Sequence, residues 1–200
     1  MLVAKTHLRK PHGHEVPCRI TAPTTWDHKY TRHEHPIRDV VEILSERGYL
    51  NLSIPVLVSF SLKGFWYAPV KVDKDSDFAP GSPCRVNSAG YLGSYAKVCS
   101  HPYYRDNLKA VDEGHFVNYT FNKEAGLTFT FDSLQTITKK AVLANHVNPR
   151  ISFALFDIDF EDVHDECPGN VYGAFDRVAG IRWLTDRFKE LLLTNDTGTT

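Results

Sequence analysis

The sequence has no long apolar run and no excess of charge of either sign. No segment approaches the roughly 20 apolar residues that a membrane-spanning helix requires. Lysine and arginine number 23 and aspartate and glutamate 24, which gives a formal net charge of -1 at pH 7. A nearly neutral chain offers no electrostatic attraction to nucleic acid or to an anionic membrane. We therefore expect neither of these as a partner.

Familiar metal and redox spacings are also missing. No C-x-x-C pair, the mark of many zinc and redox sites, is present. Histidine is frequent, at 10 residues, and the closest group is His28, His33 and His35. No carboxylate or cysteine completes a known ligand spacing around them, so they indicate a surface loop. The same holds for His12 and His14. We expect no metal and no cofactor.

An even number of cysteines accompanies three N-x-[ST] sequons. The cysteines are Cys18, Cys84, Cys99 and Cys167. The sequons begin at Asn51, Asn118 and Asn195. The first residues lack the apolar core of a signal peptide, which by itself would indicate the cytosol. Cysteines, sequons and turn-rich loops together favour an extracellular protein with disulfides, with glycans at the three asparagines, and with an amino-terminal part upstream of this chain.

Two short apolar runs and one helical pattern indicate strands and a helix outside the middle of the chain. Residues 54–60 and 151–156 are short apolar runs, which predict strands buried on both faces, as in a parallel sheet. A further short strand is expected over residues 18–22. A helix is predicted to begin near Pro36 and to end at Gly48. A length of 200 residues suits one domain of the α/β class.

The remaining segments differ in character. Residues 64–130 contain turn residues and alternating stretches such as FVNYTF and LTFTF, which predict an α+β insertion with antiparallel strands. Asp132 and Ser133 are expected to cap a helix that ends near residue 145. A last helix is predicted over residues 171–193, with Phe175, Val178, Leu184, Phe188 and Leu191 facing inward. Residues 1–17 form an irregular segment, and residues 194–200 a flexible tail.

A run of acidic residues follows the second apolar run directly. These residues are Asp157, Asp159, Glu161, Asp162, Asp165 and Glu166. In α/β proteins the carboxyl ends of strands commonly carry the chemistry. The alternative is a solvated loop whose carboxylates cap the last helix or pair with Arg177 and Arg182. We favour this alternative, because charge runs usually face water.

Several segments occur in an order known from one enzyme family. They are VSFSLKGF (58–65), AKVC (96–99), TFDSLQTITKK (130–140) and FALFDIDFEDVHDEC (153–167). Upstream, Trp26-Asp27 and His35-Pro36-Ile37 are similar to that family's W-D…H-x-S-P-L loop. In order and spacing these segments resemble the carboxy-terminal part of the family 18 glycoside hydrolases, the chitinases and chitinase-like proteins. The resemblance covers roughly residues 18–193.

The resemblance implies a fold and a function. The fold is the carboxy-terminal portion of a (β/α)8 TIM barrel with the α+β insertion at residues 64–130. The barrel is incomplete, since the chain supplies the last three of eight strands. The family's catalytic strand, D-x-x-D-x-D-x-E, carries the general acid and should lie before residue 18, but the motif is absent. We therefore expect a chitinase-like protein that is non-catalytic in this chain and binds chitin or N-acetylglucosamine oligosaccharides weakly.

The resemblance also implies site residues. Phe156 corresponds to the tryptophan that forms the floor of the central sugar subsite. The tyrosine and arginine of the family's Y-G-R motif fall at Lys63 and Phe65, so polar sugar contacts are lost. Nearby, Trp66 and Tyr67 either stack on a sugar or pack under the insertion, and we include both as candidate substrate-binding residues with Phe156.

The family pattern pairs Cys99 with Cys167. Cys18 and Cys84 are then partners by elimination, and the alternative for this second pair is two free buried thiols. The bridge between Cys99 and Cys167 would tie the insertion to the loop after the last barrel strand.

One alternative reading gives the acidic run a catalytic role. Asp157-x-Asp159-x-Glu161 has the form of the catalytic motif's end, with Glu161 as the acid and Asp159 as its partner. The first aspartate of the motif would fall at Ala154, which breaks the pattern, so we favour the final-strand interpretation.

The alternative function is a fragment of an active chitinase whose acid lies upstream of this chain.

Overall fold

The structure is a computed structural model that describes residues 1–7, 17–27, 35–86, 91–111 and 116–196, with side chains up to residue 192. The strands are β1 (Leu2–Ala4), β2 (Val56–Ser61), β3 (Gly64–Tyr67), β4 (Tyr91–Gly93), β5 (Lys109–Val111), β6 (Val117–Asn122), β7 (Leu127–Phe131) and β8 (Ser152–Phe156). The helices are α1 (Ile37–Glu46), α2 (Tyr95–Cys99), α3 (Pro102–Asp106), α4 (Leu134–Val147) and α5 (Asp176–Asp196).

A parallel sheet of three strands forms the first layer, in the order β1-β2-β8. Leu2 lies opposite Val56, and Leu57 lies opposite Ser152. The apolar runs of β2 and β8 form strands because β-branched and aromatic side chains suit a pleated, packed surface. Helices α1, α4 and α5 contribute the other side chains of the main core. This core includes Val41, Leu44, Val58, Phe60, Ile137, Ala141, Ile181 and Leu184.

The first parallel strand lies in a part of the chain that the sequence predicts to be irregular. β1 occupies residues 2–4, whereas residues 18–22 make only an isolated bridge, from Arg19 to Pro83. The prediction of a strand over residues 18–22 is therefore wrong. Cys18 and Ile20 instead pack against Phe65, Tyr67 and Cys84 of the insertion. A three-residue strand is too short to show a period of two, which is why it could not be predicted from periodicity.

The insertion is a separate antiparallel sheet, in the order β4-β3-β7-β6-β5. The short helices α2 and α3 connect β4 to β5, so the α+β character predicted for residues 64–130 is confirmed. Phe129, Phe131 and Val98 are the buried centre of this layer. Gly64 lies at the start of β3, which is paired with β7. A side chain at this position would collide with the Phe129 ring of β7, so glycine is required.

Two helix boundaries confirm the capping signals in the sequence. Pro36 precedes α1, and Gly48 adopts a left-handed φ of 70° one residue after the C-cap of that helix. Ser133 is the N-cap of α4, where its hydroxyl oxygen accepts a hydrogen bond from the Thr136 amide at 3.3 Å. Both are local interactions, which explains why sequence alone locates them.

The strand β8 departs from the predicted burial on both faces. All five of its residues are half-buried. The physical reason is its position: β8 pairs only with β2 and forms an edge of the three-stranded sheet. An edge strand lacks the second neighbour that would complete its burial.

The last helix begins at Asp176 rather than at residue 171. Phe175 precedes it with a left-handed φ of 60° and is 41% exposed, and Leu191 is 55% exposed, so neither faces inward as predicted. Leu184 is buried, and Val178 and Phe188 pack against the core as predicted. Residues 194–196 continue the helical backbone into the predicted tail, whose residues 197–200 lie outside the described part.

Both predicted disulfides are present. Cys18 bonds to Cys84 and Cys99 bonds to Cys167, so the described residues contain no free thiol. The alternative of two free thiols for the first pair is therefore wrong. The second bridge joins α2 of the insertion to the loop after β8, and it fixes the insertion against the parallel sheet.

Candidate functional site

The carboxyl ends of β1, β2 and β8 meet at one edge of the parallel sheet. Parallel strands end on the same side, so the residues that follow them lie together. We call this group the strand-end site. After β1 it contains Lys5, Thr6 and His7. From β2 it contains Ser59 and Ser61, and Lys63 follows that strand. At β8 it contains the last residue, Phe156, and the next one, Asp157.

His7 and Ser59 form the hydrogen-bonded centre of the strand-end site. The His7 Nδ1 atom lies 2.7 Å from the Ser59 hydroxyl oxygen. That oxygen also accepts the Thr6 amide at 2.9 Å, and the Thr6 hydroxyl donates to the Ser59 carbonyl. The Ser59 oxygen has two lone pairs and one proton, so it can either donate to His7 Nδ1 or accept from it, according to the His7 tautomer.

Burial lowers the pKa of His7 below its ordinary value of 6.5. The Asp157 carboxylate opposes this shift, whereas the Lys63 and Lys5 ammonium groups add to it. The cause is the cost of placing an imidazolium ion in a partly desolvated position. The lowered pKa favours the neutral imidazole, which carries one N–H donor and one ring-nitrogen acceptor.

Asp157 connects the end of β8 to the end of β2. It accepts the Ser61 hydroxyl at 2.6 Å, and its carboxylate lies 3.3 Å from the Lys63 ammonium. Its backbone is left-handed, with a φ of 60°. Aspartate tolerates this conformation better than most residues, and such positions recur at functional sites.

Phe156 lies where the sequence predicts a sugar-stacking ring. Its side chain is half-buried, with the His7 ring centroid at 4.7 Å and the Lys5 ammonium 5.8 Å from the ring centroid. It therefore belongs to the strand-end site. His7 was missed by the sequence analysis, because residues 1–17 carry little periodicity. The available signal was the polar triplet that follows the apolar residues Leu2–Ala4 directly.

Trp66 and Tyr67 occupy positions that differ from the prediction. Tyr67 is completely buried, with its hydroxyl 3.1 Å from that of Thr21, so the expectation that it contacts a sugar is corrected. Trp66 is half-buried, with ring-centroid distances of 4.7 Å to Phe129 and 5.3 Å to Tyr104. Both rings pack inside the insertion, which is the second of the two roles that the sequence left open.

Glu161 lies in an ion pair rather than in a solvated loop. One carboxylate oxygen accepts the Arg177 amide at 2.9 Å, and the other accepts Arg177 Nε at 2.6 Å. Both oxygens are thus engaged at the start of α5, and neither is available to protonate a glycosidic oxygen. Asp159 is exposed in the turn Ile158–Phe160. The geometry therefore gives Glu161 a helix-capping role.

Asp162 is the second buried carboxylate of the acidic run. It accepts hydrogen bonds from the amides of Glu166 and Cys167 at 2.9 and 2.7 Å and from the Asn170 side chain at 2.9 Å. Burial acts to raise the pKa of Asp162, but these donors outweigh it and hold the pKa below its ordinary value. The prediction of helix-capping and Arg177-pairing carboxylates is confirmed, whereas solvation holds only for exposed members such as Asp165.

The cysteines, carboxylates and histidines that could bind a metal ion do not form a metal site among the described residues. Cys99, Asp162 and Cys167 bring ligand atoms together within 4.8 Å, but the two sulfur atoms are bonded to each other and are not available to a metal ion. His35 is exposed. The other histidines considered in the sequence, His12, His14, His28 and His33, lie outside the described residues.

The three sequons differ in accessibility. Asn51 is exposed, and its side-chain oxygen accepts a hydrogen bond from Arg150 at 3.0 Å. Asn118 lies in β6 and is only 6% exposed, which argues against a glycan in the folded protein. Asn195 lies in the last turn of α5, where side chains are not described. Among the described residues, none of the helices combines the length and apolar character needed to cross a bilayer.

Comparison with known proteins gives matches at the level of structure. No protein-family model and no curated protein matches the sequence. A Group IV chitinase from Ostrinia furnacalis has a similar structure, with a TM-score of 0.67 at 18% identity over 92% of this chain and 50% of that chain. The chain has a chitinase fold. This confirms, at the level of the fold, the resemblance to part of the family 18 glycoside hydrolases.

Other structures with the chitinase fold include proteins with different activities. An immunomodulatory active chitinase from Trichuris suis gives a TM-score of 0.61 at 14% identity, over 82% of this chain and 46% of that chain. Human YKL-39, described as a pseudo-chitinase with retained chitooligosaccharide binding, gives a TM-score of 0.59 at 13% identity, over 82% and 45%. The chain thus spans about half the length of the solved structures that it matches.

Proposed function

We propose that this chain is a chitinase-like protein that binds chitin or N-acetylglucosamine oligosaccharides weakly and does not itself hydrolyse them. The fold is proposed to be the carboxy-terminal portion of a (β/α)8 barrel, with the insertion beside it. Human YKL-39 offers a precedent, since it is a pseudo-chitinase that retains chitooligosaccharide binding. The disulfides favour an extracellular location, because such bonds persist in oxidising compartments.

The observation that carries the proposal is the composition of the strand-end site. A half-exposed aromatic ring, Phe156, lies beside the His7 imidazole and the Lys63–Asp157 pair. Aromatic faces and fixed polar groups are suited to binding a sugar ring. The ring of phenylalanine is smaller than that of tryptophan, which supports weak binding.

Loss of hydrolysis is supported by the carboxylates. Glycoside hydrolysis requires a positioned acid, together with a second carboxylate or a neighbouring substrate group. Within the described residues, Asp157 is the carboxylate of the strand-end site, and Ser61 and Lys63 already hold it. Glu161 is held by Arg177. Neither carboxylate is placed as a free acid.

Titration of the isotopically labelled protein with chitotetraose tests the binding. We expect saturable chemical-shift changes at His7, Phe156 and Lys63. Phe156→Ala should weaken binding about fivefold, for the loss of about 1 kcal/mol of ring contact. Phe175→Ala is the matched control, because Phe175 is an exposed phenylalanine outside the strand-end site. Absence of any shift at these residues would contradict the proposal.

Incubation with a fluorogenic chitobioside tests the absence of catalysis. We expect no turnover by this chain. Turnover that Glu161→Gln abolishes would establish the catalytic reading of Asp159 and Glu161 instead. Turnover by a longer protein that includes upstream sequence, but not by this chain, would support the alternative function of an active chitinase fragment.

A further inference from the structure

A half-open cavity of about 340 Å³ lies between the insertion and the amino-terminal ends of α4 and α5. Its wall includes Asn118 of β6, Ser133 and Leu134 at the start of α4, and Asp176 at the start of α5. Its lining shares no residue with the strand-end site. Small-molecule pockets measure about 300–1,000 Å³, so this volume suits a ligand of roughly one ring.

Asn118 presents an unused hydrogen-bond donor to this cavity. Its side-chain oxygen accepts the Ser133 hydroxyl at 2.7 Å, and the Ser133 oxygen in turn accepts the Thr136 amide. With Oδ1 held by the Ser133 hydroxyl, Nδ2 is the remaining polar group of the Asn118 side chain. Within the described part of the chain, Nδ2 has no acceptor, although Asn118 is 6% exposed.

Asp176 presents an unused acceptor to the same cavity. One carboxylate oxygen accepts the amides of Val171 and Tyr172 at 2.7 and 2.8 Å. The second oxygen has no donor among the described residues, and Asp176 is also 6% exposed. A buried polar atom without a partner costs about 1–3 kcal/mol, which a ligand group can recover. Glu161, by contrast, has both oxygens occupied by Arg177.

The remaining wall is aromatic and apolar. The Tyr95 ring is stacked on Phe131 at a centroid distance of 4.7 Å and has Arg177 Cζ 5.6 Å from its centroid. Burial raises the pKa of Tyr95, so its hydroxyl remains a donor at neutral pH. Leu134 and Val171 add apolar surface. One amide donor, one carboxylate acceptor, a phenol and apolar walls together suit a neutral molecule with several hydroxyl groups.

We propose that this cavity is a second ligand site, separate from the strand-end site, for a neutral sugar or polyol of monosaccharide size held between Asn118 Nδ2 and Asp176 Oδ2. The ligand accepts a hydrogen bond from the amide and donates a hydroxyl proton toward the carboxylate. Asn118 is also the acceptor of a sequon, so a glycan at that nitrogen would fill the same volume and exclude the ligand.

The test uses protein produced in a host without N-glycosylation and labelled with nitrogen-15. Methyl β-D-glucoside and N-acetylglucosamine are the two probes. We expect at least one probe to give saturable shifts of the Asn118 side-chain amide and of the Leu134 and Val171 backbone amides. Unchanged resonances at all three positions with both probes would overturn the proposal. Shifts at His7 and Phe156 report the strand-end site separately, so the two sites succeed or fail independently.

Two isosteric variants assign the contacts. Asn118→Asp keeps the acceptor for Ser133 but removes the donor, and Asp176→Asn keeps the acceptor for Val171 and Tyr172 but removes the carboxylate. Each should weaken binding about tenfold. Asn145→Asp is the matched control, because Asn145 is a half-buried asparagine of α4 that does not line the cavity. Wild-type affinity in both cavity variants overturns the assignment, and Asp176→Asn alone decides it if Asn118→Asp does not fold.

Discussion

Glu161 and Arg177 form an ion pair at 2.6 Å in which both side chains are only 1% exposed. The guanidinium also donates to the Asp132 carbonyl at 2.9 Å, so one arginine links the loop after β8 to the start of α4. The acidic run therefore contributes to the core as well as to the surface. This relationship leads to the first prediction.

Replacing Arg177 with methionine should destabilise the protein by about 3–5 kcal/mol, because the Glu161 carboxylate is left buried and unpaired. Urea unfolding followed by circular dichroism measures the free energy. The double variant Glu161→Gln/Arg177→Met should recover part of the loss. Arg187→Met, which breaks the exposed pair with Glu190, is the control and should cost less than about 1 kcal/mol. Equal losses for the two arginine variants would contradict the prediction.

Lys140→Met should have a cost of similar size, about 3–5 kcal/mol. The Lys140 ammonium is fully buried, contacts Asp132 and donates to the Thr24 carbonyl at 2.7 Å. Its removal leaves the Asp132 carboxylate with only the Thr24 and Thr136 hydroxyls. Thermal and urea unfolding measure the change, with Lys189→Met on the exposed face of α5 as the control. A stability close to that of the control would show that the buried pair makes no net contribution.

Replacing Cys99 and Cys167 together with serine should reduce stability by about 4 kcal/mol, the loop-entropy value for a closed loop of this length. The bridged residues are 68 positions apart. Unfolding by urea under non-reducing conditions measures the loss. A reductant breaks both bridges of the wild type, so reduction should lower its stability at least as much as the double serine replacement does if the bond, rather than the serine side chains, is responsible. An unchanged midpoint would contradict this prediction.

The pH dependence of stability should contain a contribution from His7. Its pKa is lowered in the folded protein, whereas the unfolded chain titrates near the ordinary value of 6.5. Below that pH the unfolded state binds more protons, so the free energy of unfolding should fall as the pH decreases through 6.5 toward the folded pKa. Above pH 6.5 the contribution of His7 to the free energy of unfolding should no longer change with pH.

The variant His7→Gln isolates the contribution of His7 to the pH dependence, since glutamine does not bind a proton between neutral and mildly acidic pH. Urea unfolding at a series of pH values should show a shallower decline between neutral and mildly acidic pH in the variant. His35→Gln, at an exposed position, is the matched control and should retain the wild-type slope. Identical slopes in wild type and His7→Gln would show that His7 is not responsible.

Local signals explain what could be predicted from the sequence. The cap at Ser133, the stop at Gly48 and the apolar runs of β2 and β8 depend on neighbouring residues, so their positions follow from spacing. The chitinase fold, by contrast, was expected from the resemblance of the order of motifs to a known family. β1 did not follow, because three residues contain too little pattern and acquire their strand geometry from pairing with β2.

The candidate sites also contain some residues that could be predicted from the sequence and others that could not. Phe156 was predicted because the family resemblance aligns it with the tryptophan of the central sugar subsite, at the end of a recognisable strand. The partners of His7, Asn118 and Asp176 could not be predicted, since each contact joins parts of the chain that are distant in sequence or depends on a loop conformation. The burial of Tyr67 was also undecided in the sequence, where stacking on a ligand and packing in a core require the same aromatic residue.

The sequence by itself determined the class of fold, most of the longer helices and strands, and the residue types at the end of β8, whereas the bond between Cys18 and Cys84 was decided by the structure. Only the tertiary structure decided which polar groups are neutralised and which stay available. Glu161 meets Arg177 inside the protein, whereas Asn118 and Asp176 each keep one atom at a cavity wall that has no partner among the residues the structure describes. The physical reason is that hydrogen bonding and desolvation depend on distances between atoms, and the folded chain sets those distances.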